Sequence, residues 1–436
     1  MKPAPSLVLG LGLLLSPVPG NAVLKAGAAH ADITPPLGVD MPAWARKATG
    51  VHDPLYARAV VLDDGSERIA IVSLDACMIY DVIAPSYADG PEPKALGRMA
   101  NIRKEIRDAT GIDKVVCVAS HTHSSGGEKG PDAWLREQEH RIAGAVIAAA
   151  SHLQPATVGV GWGRVDEGFN RRLPQKDAPT KTQWDNPSRT STGPTDPALG
   201  VISVQADDGK TIATLVNFAC HAVILGPKNT KFSADYPGAF ARKVEQAIGG
   251  ECLFLQGAAG DTDPYVCLLS EATGADAELD RVGSVIADET LATVARIKHR
   301  QNAPHLRWRS ELIPLASRTD VERTGRKIEA EIDTILIGEQ LALATFPGEF
   351  FVEHGLRLKQ LSPVPNTFFV GYSNGFLGYF PTLKASMEGG YGTVWRWWAQ
   401  TEAGAGETLV NRAIINLGLA SNAFKRAEET TVMPKR

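Results

Sequence analysis

The 436-residue sequence has no run of five or more Lys and Arg, and its 45 basic side chains are balanced by 49 acidic ones. Electrostatic capture of nucleic acid therefore has no footprint, and DNA and RNA are excluded as partners. Cysteine is scarce. The five thiols, at positions 77, 117, 220, 252 and 267, are too few for a disulfide scaffold, none has C-x-x-C spacing, and an odd count leaves at least one unpaired within the chain. Long apolar runs are also missing: no segment stays apolar over the roughly 18 residues that a membrane-spanning helix needs. There is no internal repeat and no Pro/Ser/Gly-rich linker. With 44% hydrophobic and 22% charged residues, the expectation is one soluble globular domain over 23–436.

Residues 1–22 read differently. Lys2, the apolar stretch Leu7 to Leu15 and the small residues Gly20 and Ala22 have the order of a secretory signal peptide, cleaved after Ala22. The mature protein is expected to be secreted or periplasmic. Export permits a bridge between Cys252 and Cys267; buried free thiols are the equal alternative.

Apolar runs of strand length alternate with amphipathic helical stretches, which predicts an α/β fold. Strands are expected at 57–62, 69–74, 115–119, 157–161, 201–205, 212–218, 253–255, 341–344 and 367–370. Helices are expected at 93–109, 133–151, 236–248, 271–299, 349–361 and 406–426. Strands 201–205 and 212–218 flank an Asp-Asp-Gly turn and must form an antiparallel hairpin, so mixed β-sheets flanked by helices are predicted. The polar stretch Pro174 to Pro197 has no periodicity and reads as a long loop, either a wall over a site or disordered.

Four strings carry candidate chemistry. Ser120-His121-Thr122-His123 follows an apolar strand; in extended backbone both rings would face one space, suiting a metal ligand beside an acid-base group. His221 ends another apolar strand among small neighbours, which favour the neutral, metal-binding ring, although a core histidine satisfied by one hydrogen bond explains it as well. Glu349 follows Pro347-Gly348 and is expected to open the next helix. In Gly257-Ala258-Ala259-Gly260-Asp261-Thr262-Asp263, small residues bring backbone amides within reach of a ligand and two carboxylates stand two apart; no P-loop lysine follows. Aromatic surfaces are offered by Trp44, Tyr391, Trp395, Trp397 and Trp398, suited to stacking on sugar rings or covering acyl chains.

Taken together, these strings resemble the catalytic domain of neutral (non-lysosomal) ceramidases, zinc-dependent amidases that cleave the N-acyl bond of ceramide. Further matches are Ala31-Asp32-Ile33-Thr34-Pro35-Pro36, Leu55-Tyr56-Ala57-Arg58-Ala59, Phe169-Asn170-Arg171 and Gly371-Tyr372-Ser373-Asn374 running to Gly378-Tyr379. The resemblance implies Zn2+ held by His121, His221, Glu349 and Tyr379, with His123 as the acid-base residue and Arg171 facing the scissile carbonyl. Gly260, Asp261 and Tyr391 are then expected to touch substrate. The chain departs from the family at Asp263, which stands where ceramidases carry a serine. That carboxylate is expected to be catalytic, accepting a proton, binding a cation or receiving a substrate hydroxyl or amine. The family's immunoglobulin-like C-terminal domain is expected to be absent. The implied activity is hydrolysis of an N-acyl amide or an ester by metal-activated water, on a small-molecule, lipid or glycoconjugate substrate. A secreted binding protein with a structural zinc, and a glycan-directed deacetylase or lyase, remain the alternatives.

Overall fold

The structure, a computed structural model, describes residues 23–44, 46–79, 97–126, 132–190, 193–318, 327–394 and 398–425. The expected leader 1–22, and Trp395 and Trp397, lie outside the described residues.

Alternation along the strands shows how the layers form. In Tyr56–Asp63, Ala57, Ala59 and Val61 join one apolar cluster, while Val60 and Leu62 join another. Both faces of this strand are therefore buried, as expected of a sheet covered on each side. The same division holds in Ala198–Ala206, where Leu199 and Val201 face one way and Ile202 and Val204 the other. Each such apolar side chain contributes roughly 1.5–3 kcal/mol when fully buried.

The longer strands form a nine-stranded mixed sheet and a four-stranded sheet, and short strands pair outside them. In the larger sheet, Lys25–Asp32 meets Gln154–Arg164 through only two paired positions, Lys25 with Pro155 and Ala26 with Gln154. This narrow seam divides it into two halves. Helices Arg98–Thr110 and Asp132–Ser151 back one half, and Asp235–Ile248 and Ala275–Arg296 back the other. Val352–Leu361 and Ala405–Ala420 back the four-stranded sheet. The inner faces of all three share one core, in which Val60, Leu215 and Leu343 belong to a single cluster.

The expected hairpin is present, with Val201 opposite Val216. Within the two larger sheets three strand pairs are parallel: Arg68–Leu74 with Lys114–Ala119, Thr211–Phe218 with Glu251–Gln256, and Leu341–Thr345 with Asn366–Val370. Two local expectations are corrected. Glu349 does not open a helix: it lies in the two-residue strand Glu349–Phe350, paired with Tyr379–Phe380, and the helix starts at Val352. Cys252 and Cys267 do not pair: none of the five cysteines is in a disulfide, and all are buried.

Candidate metal centre

The ends of five strands deliver the polar residues to one place. Lys114–Ala119 leads to His121 and His123, Thr211–Phe218 to His221, Glu251–Gln256 to Gly260 through Asp263, Leu341–Thr345 to Glu349, and Asn366–Val370 to Tyr372. Cross-links between the layers fix these ends. Asn217 Nδ2 donates to Leu255 O and Phe369 O, and Ala119 N donates to Tyr372 O. A crevice beyond the carboxyl ends of strands is where α/β sheets place their ligands.

His121 and His123 do come together, by a different route from the extended backbone expected. His121 has φ 65°, a left-handed conformation costly for a residue with a Cβ, and its N–H donates to Ala76 O. This bend brings His123 Nε2 to 3.1 Å from His121 Nε2. His121 Nδ1 donates to Cys77 O at 2.7 Å, and His221 Nδ1 donates to Ala259 O at 2.6 Å. With the Nδ1 side of each ring fixed by a carbonyl, the Nε2 atoms point inward, 3.4 Å (His121) and 3.1 Å (His221) from Glu349 Oε2. Two imidazoles and one carboxylate thus share a point, with their candidate ligand atoms all within 4.8 Å of one another.

This cluster holds more lone pairs than protons. Burial works against charge on His121, but Cys77 and Glu349 overcome it and lift its pKa to about 10. Burial likewise opposes the Glu349 carboxylate, yet His121 and His221 hold it well below the usual range. His123 is pushed well down by burial and by the two other imidazoles, so its ring is neutral. His221 is lowered by burial and by Arg171. A divalent cation satisfies such a donor set more fully than one shared proton, and two His with one carboxylate is the chemistry of open zinc sites. A second trio, Cys77, His121 and His123, also has metal-ligand spacing. Its sulfur, however, sits 3.7 Å from His121 Nδ1, the nitrogen already engaged with a carbonyl.

Arg171 forms the other wall. Its Nη1 donates to Asp263 Oδ1 at 2.9 Å, and its Nη2 to Gly260 O at 2.7 Å and Tyr379 Oη at 3.1 Å. Tyr379 pairs with Glu349 across the short parallel bridge, which brings the fourth expected ligand next to the third. Two glycines permit this approach: a Cβ on Gly378 would lie 2.0 Å from Trp398 O, and one on Gly260 would lie 2.5 Å from Glu349 O. Asp263 faces His221 from the Nδ1 side, at 3.6 Å. Asp261 is a brace, accepting from Asn170 Nδ2 and from Val352 N at the start of the helix, and burial pushes its pKa up to about 6. Tyr391 lies 5.1 Å from the Arg171 guanidinium, and Trp44 packs 5.0 Å from His123. Trp398 supplies its carbonyl to Tyr379 N.

Sequence reasoning missed three participants. Gln256 Nε2 donates to Ser120 O and Cys220 O, the carbonyls immediately before His121 and His221, and so ties the two histidine loops together. Cys77 contributes its carbonyl. Trp184 lies in the Pro174 to Pro197 stretch, packs edge-on against Tyr391 at 5.0 Å and sits 5.5 Å from Arg171, so this part of the loop forms a wall beside the centre. A lone polar residue at a strand end was the one available signal for Gln256.

A family model described as neutral/alkaline non-lysosomal ceramidase, N-terminal, matches residues 24–283. Among solved structures, the chain is similar to neutral ceramidase from Pseudomonas aeruginosa, with 16% identity and a TM-score of 0.74 over 92% of this chain and 75% of that one. It is similar also to a ceramidase complexed with C2, with 16% identity and a TM-score of 0.75 over 92% and 76% of the two chains. These likenesses show a shared α/β fold, and with a family match over more than half its length the chain belongs to the neutral/alkaline non-lysosomal ceramidase family.

Proposed function

We propose that the protein is a zinc-dependent hydrolase that cleaves an N-acyl amide, or an ester of similar shape, in a ceramide-like substrate. The observation that carries this reading is the convergence of His121 Nε2 and His221 Nε2 on Glu349 Oε2. His121, His221 and Glu349 hold the ion, with Tyr379 as the fourth ligand. Bound there, zinc supplies Lewis acidity and lowers the pKa of water to about 7.

The neutral His123, its Nε2 turned toward the donors, takes a proton from the attacking water. It returns that proton to the departing nitrogen or oxygen as the C–N or C–O bond breaks. Arg171 faces the carbonyl oxygen and stabilises its charge. Asp263, which meets His221 on the side away from Nε2, holds Arg171 in place instead of acting as the base. Tyr391 and Trp184 line the approach, and Gly260 and Asp261 shape the floor beneath Arg171. Replacement of the family's serine by Asp263 alters how the polar end of the substrate is received. Export directed by residues 1–22 and a single catalytic domain over 23–436 belong to the same proposal.

The test is turnover of a chromogenic N-acyl anilide and an O-acyl phenyl ester, before and after exhaustive chelation and on return of zinc. Activity is expected to vanish with the metal and to come back with it. Full turnover by metal-depleted protein removes the reading.

A further inference from the structure

The Gly371–Asn374 string places a residue in the centre that neither the ligand set nor the proton path uses. Tyr372 has φ 53°, left-handed like His121, and the surrounding structure holds it there: its N–H donates to Gly348 O and its carbonyl accepts from Ala119 N. Non-glycine residues held in that region cluster where geometry serves a site. Its ring lies 4.4 Å from the His121 ring and 6.5 Å from that of His221, against Ala119, Ala259 and Phe376. At 0% exposure it lies as deep as His121 (1%), His221 (1%) and Glu349 (4%), beside the donor cluster.

The hydroxyl makes no hydrogen bond. A buried O–H without a partner destabilises the fold, and phenylalanine would fill the same space without that cost, so packing does not account for the oxygen. Arg171, the other donor on this floor, spends three of its five N–H groups on Asp263, Gly260 and Tyr379, so it does not alone complete the hydrogen bonding of the carbonyl oxygen. An uncommitted donor is what a developing oxyanion requires.

We infer that Tyr372 is a further catalytic residue, its hydroxyl donating a hydrogen bond to the scissile carbonyl oxygen as negative charge builds there. This rests on the hydrolase reading above.

The experiment compares wild type with Tyr372→Phe in four measurements: zinc content, melting of the metal-free protein, steady-state kinetics, and calorimetric binding of acetohydroxamic acid to the zinc-loaded protein. Expected are unchanged zinc, a melting temperature that rises because the orphaned hydroxyl is gone, kcat lower by about a hundredfold with KM within about twofold, and probe affinity weaker by about tenfold. Wild-type kcat and probe affinity in the variant overturn the inference and leave the hydrolase reading intact. Loss of zinc or a lowered melting temperature also overturns it, by showing that the ring merely supports His121. A wild-type protein that binds no zinc removes the hydrolase reading, and the inference with it.

Discussion

Arg58 with Asp75 and Glu245, and Glu349 with His121 and His221, are both groups of charged side chains drawn into the protein, and they differ in how donors meet acceptors. In the first, Arg58 Nη1 donates to Asp75 Oδ2 at 3.0 Å and Nε to Glu245 Oε1 at 2.9 Å, while Tyr56 N and Cys252 N supply further donors to the two carboxylates. In the second, the fixed Nδ1–H groups of both rings point away into backbone carbonyls, and the inward Nε2 and carboxylate atoms have only the one further proton on His121 to share. A matched group ties strands and helix together. A mismatched one is complete only when a cation arrives, and burial alone does not distinguish the two.

The largest way to break this contrast is His221→Ala. Zinc should be lost and kcat should fall by at least about 10⁴-fold, with the fold retained by circular dichroism. Arg58→Ala should do the reverse: removing one partner of a buried pair costs about 3–5 kcal/mol in denaturant unfolding, while each folded chain keeps its zinc. Proton linkage sharpens the comparison. His121, with its pKa lifted to about 10, carries at neutral pH a proton that zinc must displace. Apparent zinc affinity measured by competition with a chelator should therefore rise with pH between 6 and 9, by up to about tenfold per unit. In the metal-free protein the same shift contributes stability that is complete below the unfolded value near 6.5 and is lost as pH climbs through about 10. Smaller again is Gln256→Ala, which unties the Ser120 carbonyl from that of Cys220, the latter still held by Tyr236 Oη: kcat should drop about tenfold and stability by about 1–3 kcal/mol. Smallest is Trp184→Ala. The side chain is 43% exposed, so stability should stay within about 0.5 kcal/mol while KM for the acyl substrate rises severalfold.

How much of this was legible in the sequence follows from which signals were local. Strands such as 69–74 and 212–218 are rich in apolar, β-favouring residues, and the structure places them as Arg68–Leu74 and Thr211–Phe218. Lys25–Asp32 escaped because Lys-Ala-Gly-Ala-Ala-His-Ala-Asp has little strand propensity. The helix Asp132–Ser151 demands small residues there, since a Cβ on Gly27 would lie 2.2 Å from Ala149 O. The hairpin Leu306–Ala316 with Lys327–Ile337 was hidden because Arg307, Arg309, Ser310 and Glu311 interrupt the apolar pattern of the first strand. At the centre, the expected His121, His221 and Glu349 do meet, and Tyr379 pairs with Glu349. The roles of Gln256, Cys77 and Tyr372 depend on contacts between residues far apart in the chain, which no local pattern encodes.

The most direct test of the central claim is the zinc X-ray absorption spectrum of the loaded protein, because Cys77, His121 and His123 form the rival trio. The account predicts only nitrogen and oxygen neighbours, with scattering from two imidazoles and distances of about 2.0–2.2 Å. A sulfur neighbour at about 2.3 Å would put the ion on Cys77 and contradict the account.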